Sequence, residues 1–237
     1  MMQEEGVASS LVLLAIRGLD LLFSLAALLI FSPLLLLIAI ALRFSGEGEV
    51  FYRQVRIGKG GHEFYLLKFA TMMKNSPAIG AAELTLPNDP RVLPLGRVLR
   101  KTKLNELPQL LNIVAGDLSL IGPRPQTRRY YNCYRPVDRV WIDTIRPGLS
   151  GVGSILFRDE ETLLTKVIDP IAFDDHVIIP YKGQVEHWFA LNQSVSLYFE
   201  LIFTTILVVL IPTAGLHRRL LRRVPPPPAE LSKLLES

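Results

Sequence analysis

Between Leu21 and Leu42 the chain carries no charged residue for 22 positions, LLFSLAALLIFSPLLLLIAIAL, and this run constrains everything else the sequence can build. A helix rises about 1.5 Å per residue, so the run reaches roughly 33 Å, enough to cross a hydrocarbon core of about 30 Å. Arg17 and Asp20 stand just before it, three apart on a helix, and can pair with each other or with headgroups. A cleavable signal peptide does not fit. The apolar stretch is too long, no Ala-x-Ala site follows it, and Glu4 and Glu5 stand where basic residues would be needed. The basic residues after the run, Arg43, Arg53, Arg56, Lys59 and Lys68, assign that side to the cytoplasm.

Pro33 leaves two shapes open. One is a spanning helix that tolerates a proline. The other is a re-entrant hairpin that enters and leaves by the same leaflet, broken where Pro33 removes a hydrogen bond and crowds the preceding turn. Ser32 can bond back to a freed carbonyl and lower the cost of that break in lipid. Composition favours the spanning helix, because kinked spanning helices are common.

The chain's 237 residues allow one domain plus a membrane element, or two small domains. A mean hydropathy of +0.31 alongside 20% charged residues means that apolar and charged residues occupy separate blocks. A net charge of +4 suits a phosphate-bearing partner such as anionic lipid or nucleotide. Nucleic acid is set aside, since stacking aromatic platforms and recognition motifs are missing. The single cysteine, Cys133, permits no intrachain disulfide and no cysteine-based zinc site.

Two short strands, VFYRQVRI and HEFYLLKF, flank the turn Gly58-Lys59-Gly60-Gly61. Residues 75–90 read as a loop. A helix then carries Leu95, Val98 and Leu99 on one side, and a second, with Leu104, Leu107, Leu111 and Val114, ends at Gly116. A turn at Gly122-Pro123-Arg124-Pro125 precedes a basic, aromatic helix at about 127–134. Arg146-Pro147-Gly148 turns into a short strand near 152–157. The apolar stretch 197–211, with Glu200 inside it, reads as an interfacial or core helix. His217, Arg218, Arg219, Arg222 and Arg223 form a basic patch, and the Pro-rich tail from Pro225 is expected to be disordered. These readings divide the chain into an N-terminal segment 1–10, a membrane helix 11–43 and a cytoplasmic domain 44–190. An interfacial helix with its basic patch, 191–223, and a tail, 224–237, complete it. The fold class is α+β.

The stretch from Arg91 to Pro125 carries the chemistry. Asn105 and Glu106 sit where a helix begins, with Pro108 in its first turn, and cations stand just before them. A helix start favours phosphate, Arg124 between two prolines is a stiffly held guanidinium, and Glu106 can hold a divalent cation. Asn105 can equally cap a helix, and Glu106 can simply complement the helix dipole. Spacing alone leaves the reaction type unread.

The chain resembles the bacterial sugar transferases, the monotopic polyprenol-phosphate phosphoglycosyl transferases, over about residues 14–212. The resemblance rests on SPLLLLIA, EVFYRQVRIGKGG, KFATM at 68–72, LNELPQLLNIVAGDLSLIGPRP at 104–125 and RPGLSG at 146–151. It implies transfer of a sugar-1-phosphate from a UDP-sugar to polyprenol (undecaprenyl) phosphate with release of UMP, initiating exopolysaccharide, O-antigen or glycan assembly. It implies Mg²⁺, a re-entrant helix broken at Ser-Pro, and a place at the cytoplasmic face of the bacterial inner membrane. In that pattern Glu106 holds the metal, and Lys68, Arg100, Gly122, Pro123, Arg124 and Arg158 bind substrate. The family's Asp-Glu dyad reads Asn105-Glu106 here, so an amide stands at the nucleophile position and offers no anionic oxygen. Ala70 and Val152–Ile155 also depart from the pattern. Catalysis by direct attack of the lipid phosphate, or by Glu106, remains open beside a protein that only binds nucleotide-sugar or lipid phosphate. A homodimer is a further open pairing.

Overall fold

The computed structural model describes residues 8–76, 89–211 and 220–236. Most of the 75–90 loop, the first seven residues and His217–Arg219 of the basic patch lie outside that range. The described chain mixes helices with two small two-stranded sheets, in keeping with an α+β class.

Helix α1 runs from Ser10 to Arg43 and holds Pro33 inside it. The expected break at Ser32-Pro33 is therefore no interruption of the helix. Proline at 33 cannot donate to the carbonyl four residues back, Leu29 O. Ser32 Oγ donates to that same oxygen at 2.8 Å, so the orphaned acceptor is satisfied within the helix. Glycines at 46 and 48, with φ of +56° and +73°, turn the chain after the helix ends.

The chain forms two compact units. One consists of Leu21–Val55 and Tyr65–Ala115, as far as these are described. Its core gathers Ile38 and Leu42 of α1 with Phe69 of β2 (Glu63–Phe69) and Leu99 of α2 (Pro94–Lys101). Burying such side chains is worth about 1.5–3 kcal/mol each, against the opposing chain entropy. Strand β2 pairs with β1 (Phe51–Ile57) around a Gly-rich turn, as the alternating pattern predicts. Gly96 lets α2 lie directly on the backbone: a Cβ there would stand 2.1 Å from Thr71 O. A buried Arg91–Asp89 pair, 2.6 Å apart, closes the segment before α2, and Arg91 also donates to Ser76 O at 3.1 Å.

The other unit takes Met1–Asp20, Arg56–Phe64 and Gly116–Ser237, again as far as described. Strand β3 (Ser119–Ile121) runs parallel to β4 (Gly148–Ser150), with Ser119 opposite Gly148 and Ile121 opposite Ser150. Helices α4 (Arg128–Cys133) and α5 (Pro136–Ile142) pack with α9 (Ile179–Leu191) around Tyr131, Tyr134, Ile142 and Ile179. Between β4 and α9 lie α6 (Val152–Leu156), α7 (Glu160–Leu164), α8 (Pro170–Phe173) and one π-helical turn at Asp174–Ile178. Helix α10 (Val195–Leu210) is capped by Ser194, whose side chain accepts from Leu197 N.

Three expectations change here. The strand expected near 152–157 is helix α6. The strand lies earlier, and after extended Gly151 the chain coils so that Ile155 N reaches Gly151 O at 3.0 Å. The tail after Pro225 is ordered: Ala229–Glu236 is helical, Leu231 is wholly buried and Tyr181 OH donates to Pro225 O at 2.8 Å. Asp20 finds partners other than headgroups. Its Oδ1 accepts from Ser119 Oγ, Leu120 N and Tyr198 OH at 2.8–3.0 Å, and the Arg17 charge acts on the same carboxylate.

Candidate functional site

The residues singled out by sequence fall into two groups, one in each unit. In the first, Asn105 and Glu106 belong to a 3-10 turn, Leu104–Glu106, and not to the first turn of an α-helix. Helix α3 proper is Gln109–Ala115. The cause is local. Lys103 adopts φ +59°, the left-handed region, and is alone among described non-glycine residues in having a positive φ. That kink winds the next residues tightly, with Glu106 N on Lys103 O at 3.1 Å and Leu107 N on Leu104 O at 3.2 Å.

The turn is held opposite β2 by Asn112 of α3. Its Oδ1 accepts from Leu67 N at 2.9 Å and its Nδ2 donates to Tyr65 O at 2.8 Å, so one side chain stands in for a neighbouring strand. Lys68, next on that strand, places Nζ 3.9 Å from Glu106 Oε1, with both side chains about one-fifth exposed. Arg100, half-buried, sits in the last turn of α2. Asn105 does not cap a helix. It is buried, and its Oδ1 has no hydrogen-bond partner. A buried amide oxygen left this way is costly unless a ligand supplies a donor or a cation.

The second group is built on the β3–β4 pair. Gly122 sits so close to the facing loop that a Cβ would stand 2.4 Å from Arg146 O, and a Cβ on Gly151 would stand 2.1 Å from Gly122 O. Backbone bonds then fix each step. Gly122 N donates to Ser150 O, Gly148 N to Pro123 O, Arg56 Nη1 to Pro125 O and Ile57 N to Gln126 O, all within 2.8–3.2 Å. Arg124 is exposed on this clamped loop, and a small cavity of about 20 Å³ lies beside it, lined also by Tyr131, Tyr134 and Gln126. Arg158 follows α6 and is half-buried, with Nη1 buried and unpartnered.

Sequence reading missed Glu186. This carboxylate is buried under the Arg124 loop and accepts from the backbone N–H groups of Arg124 and Gly153. Burial pushes its pKa up to about 8, against those two donors and the Lys182 charge. Around it, Lys182 pairs with Glu160, and burial beside Glu160 raises Asp174 to about 7. An acid inside an apolar α9 pattern is the only signal that could have found Glu186.

Among the described residues no three His, Cys, Asp or Glu side chains group to hold a metal. Asn105 Oδ1 and the Glu106 carboxylate are two hard oxygen donors on one turn. That sparse set suits Mg²⁺, which takes one or two protein oxygens and completes its shell with phosphates and water.

A profile of the bacterial sugar transferase family matches residues 12–212. The chain is 38% identical over 190 residues to the exopolysaccharide production protein ExoY of Rhizobium meliloti (strain 1021), covering 74% of this chain and 82% of that one. It is 34% identical over 178 residues to the UDP-glucose:undecaprenyl-phosphate glucose-1-phosphate transferase of Escherichia coli (strain K12), covering 73% of this chain and 37% of the relative. Similarity of 38% over 145 residues links it to the UDP-N-acetylgalactosamine-undecaprenyl-phosphate N-acetylgalactosaminephosphotransferase of Aeromonas hydrophila, covering 59% of this chain and 33% of that protein.

Proposed function

Because the chain belongs to the bacterial sugar transferase family, we propose that it moves a sugar-1-phosphate from a UDP-sugar to polyprenol phosphate, an initiating step of exopolysaccharide, O-antigen or glycan assembly. The observation that carries this reading is the turn at Lys103–Glu106, where an unpartnered buried amide oxygen and a carboxylate stand together beside Lys68. In this reading Lys68 and Arg100 bind the diphosphate, and Arg124 and Arg158 supply guanidinium groups for substrate oxygens. Gly122 and Pro123 set the backbone that carries Arg124. Glu106 and Asn105 would hold Mg²⁺, which would offset charge building on the departing phosphate.

Asn105 cannot act as an attacking carboxylate. With Glu106 assigned to the metal, the transfer in this reading is a single displacement: an oxygen of the lipid phosphate bonds to the sugar-bearing β-phosphorus. The bond from that phosphorus to the bridging oxygen breaks, and UMP leaves with the electron pair.

The membrane element reads as re-entrant. At one end of the apolar run Asp20 is buried with Ser119, Leu120 and Tyr198; near the other, Ile38 and Leu42 are buried with Phe69 and Leu99. Both sets of partners follow the helix in the chain, with no second helix long and apolar enough to cross a membrane among the described residues. The Ser32 bond to Leu29 O lowers the cost of a bend at Pro33. The segment 44–190 is then the transferase portion at the cytoplasmic face of the inner membrane.

The test is UMP release from a panel of UDP-sugars by the full-length protein with Mg²⁺ and undecaprenyl phosphate. Release with at least one sugar is expected; silence across the panel, beside an active relative, would sink the proposal.

A further inference from the structure

A cavity of about 90 Å³ opens at the foot of α1, lined only by residues of the unit that contains β3 and β4. None of its lining residues belongs to the proposed transferase site. Three of them are cations, Arg17, Lys59 and Arg146, against one acid, Asp20. Asp20 is already committed, accepting three hydrogen bonds from Ser119, Leu120 and Tyr198. The two guanidinium groups gather at one point of backbone. Arg146 Nε donates to Gly116 O at 2.9 Å, and Arg17 Nη2 lies 3.5 Å from where a Cβ on Gly116 would stand. Leu13, Ile16 and Phe189 form the apolar part of the wall. Beyond the cavity, Leu11 and Leu14 of α1 and Phe199 and Phe203 of α10 are exposed, which suits contact with lipid rather than water.

We infer that this cavity holds the phosphate of an anionic bilayer phospholipid, with its acyl chains along the exposed apolar residues. The volume admits a group of several heavy atoms, a space for one water being about 10–15 Å³ by comparison. The charge excess selects an anion, and forked guanidinium donors match phosphate oxygens. The apolar surroundings select a lipid-borne phosphate over a free one. The inference rests on α1 being a membrane element, and it adds a headgroup site separate from the residues assigned to transfer.

The test uses full-length protein in detergent, with retained lipid counted by native mass spectrometry for phosphatidylglycerol and phosphatidylcholine of equal chain length. Wild type should prefer phosphatidylglycerol. Lys59→Gln, an exposed change in a turn, should reduce that preference about fivefold, and Arg17→Gln with Lys59→Gln about thirtyfold. Arg97→Gln with Lys101→Gln removes the same charge elsewhere and should leave it unaltered. A preference that survives in both cavity variants overturns the inference. So does displacement by equimolar inorganic phosphate, which would make it a free-anion site. Displacement by undecaprenyl phosphate, with the acceptor KM rising in step in the cavity variants, would make it an acceptor subsite and overturn it too. Protein that fails to bind vesicles of either composition would instead refute the membrane reading itself.

Discussion

The loop Gly122–Gln126 and the turn Lys103–Glu106 hold their polar groups in opposite ways. The loop is sealed: its glycine has no room for a methyl group, and its backbone is bonded at nearly every step. The turn is wound through a left-handed lysine and keeps a buried amide oxygen without a partner. A sealed loop presents Arg124 at a fixed place, with most of its backbone groups already bonded. The turn has unmet hydrogen-bonding capacity, which a ligand can meet. Strain and unsatisfied groups persist where surrounding structure enforces them, so the turn, and not the loop, keeps a buried acceptor open to a ligand.

The largest effect should come from breaking the seal. Gly122→Ala forces a Cβ against Arg146 O, and thermal unfolding should reveal a loss of about 3 kcal/mol or more, with activity lost alongside. Glu106→Gln should do the reverse. Transfer should fall on the order of a hundredfold or more while the melting midpoint barely moves, since the carboxylate is partly exposed. A matching fall in stability would mean that the turn, too, is mainly structural. Asn112→Leu lies between these cases. It strips two hydrogen bonds from β2, costs about 1–3 kcal/mol, and should raise the UDP-sugar KM by loosening Lys68.

The smallest effect is a pH signature under the Arg124 loop. Glu186 has its pKa raised to about 8 in the folded protein, so that protein keeps a proton which the unfolded chain releases near its ordinary value of 4.5. Its contribution to stability is complete below that value and is lost as pH rises towards 8. Asp174 acts in the same direction but is spent by about pH 7. The melting midpoint should therefore still fall between pH 7 and 8 in wild type and flatten there in Glu186→Gln. An equal slope in both proteins would show that Glu186 is ionised in the fold.

Much of this arrangement could be read from the chain. Alternating aromatic and branched residues around Gly58–Gly61 give the hairpin, and the long uncharged run gives α1, because each pattern is periodic and local. Asn105 and Glu106 were legible as a helix start behind a run of cations and Lys68 through resemblance, while the approach of Lys68 to Glu106 is a product of packing that no spacing contains. Val152–Leu156 misled because five mostly apolar residues fit a strand and a short helix equally well. The tail misled because proline-rich composition outweighed one anchor, Leu231, whose burial depends on the rest of the fold. Glu186 was illegible for the same reason: its partners Arg124 and Gly153 come from distant stretches and offer only backbone.

The most direct measurement of the central claim is UMP release without any lipid acceptor, in wild type and in Asn105→Asp. With Mg²⁺ and a UDP-sugar that supports turnover, wild type should release no UMP until polyprenol phosphate is added. Asn105→Asp, which gains a carboxylate at the turn, should release up to one equivalent per protein and carry the phosphosugar covalently. A stoichiometric, lipid-independent burst from the wild type would contradict single displacement and point to Glu106 or another side chain as the nucleophile.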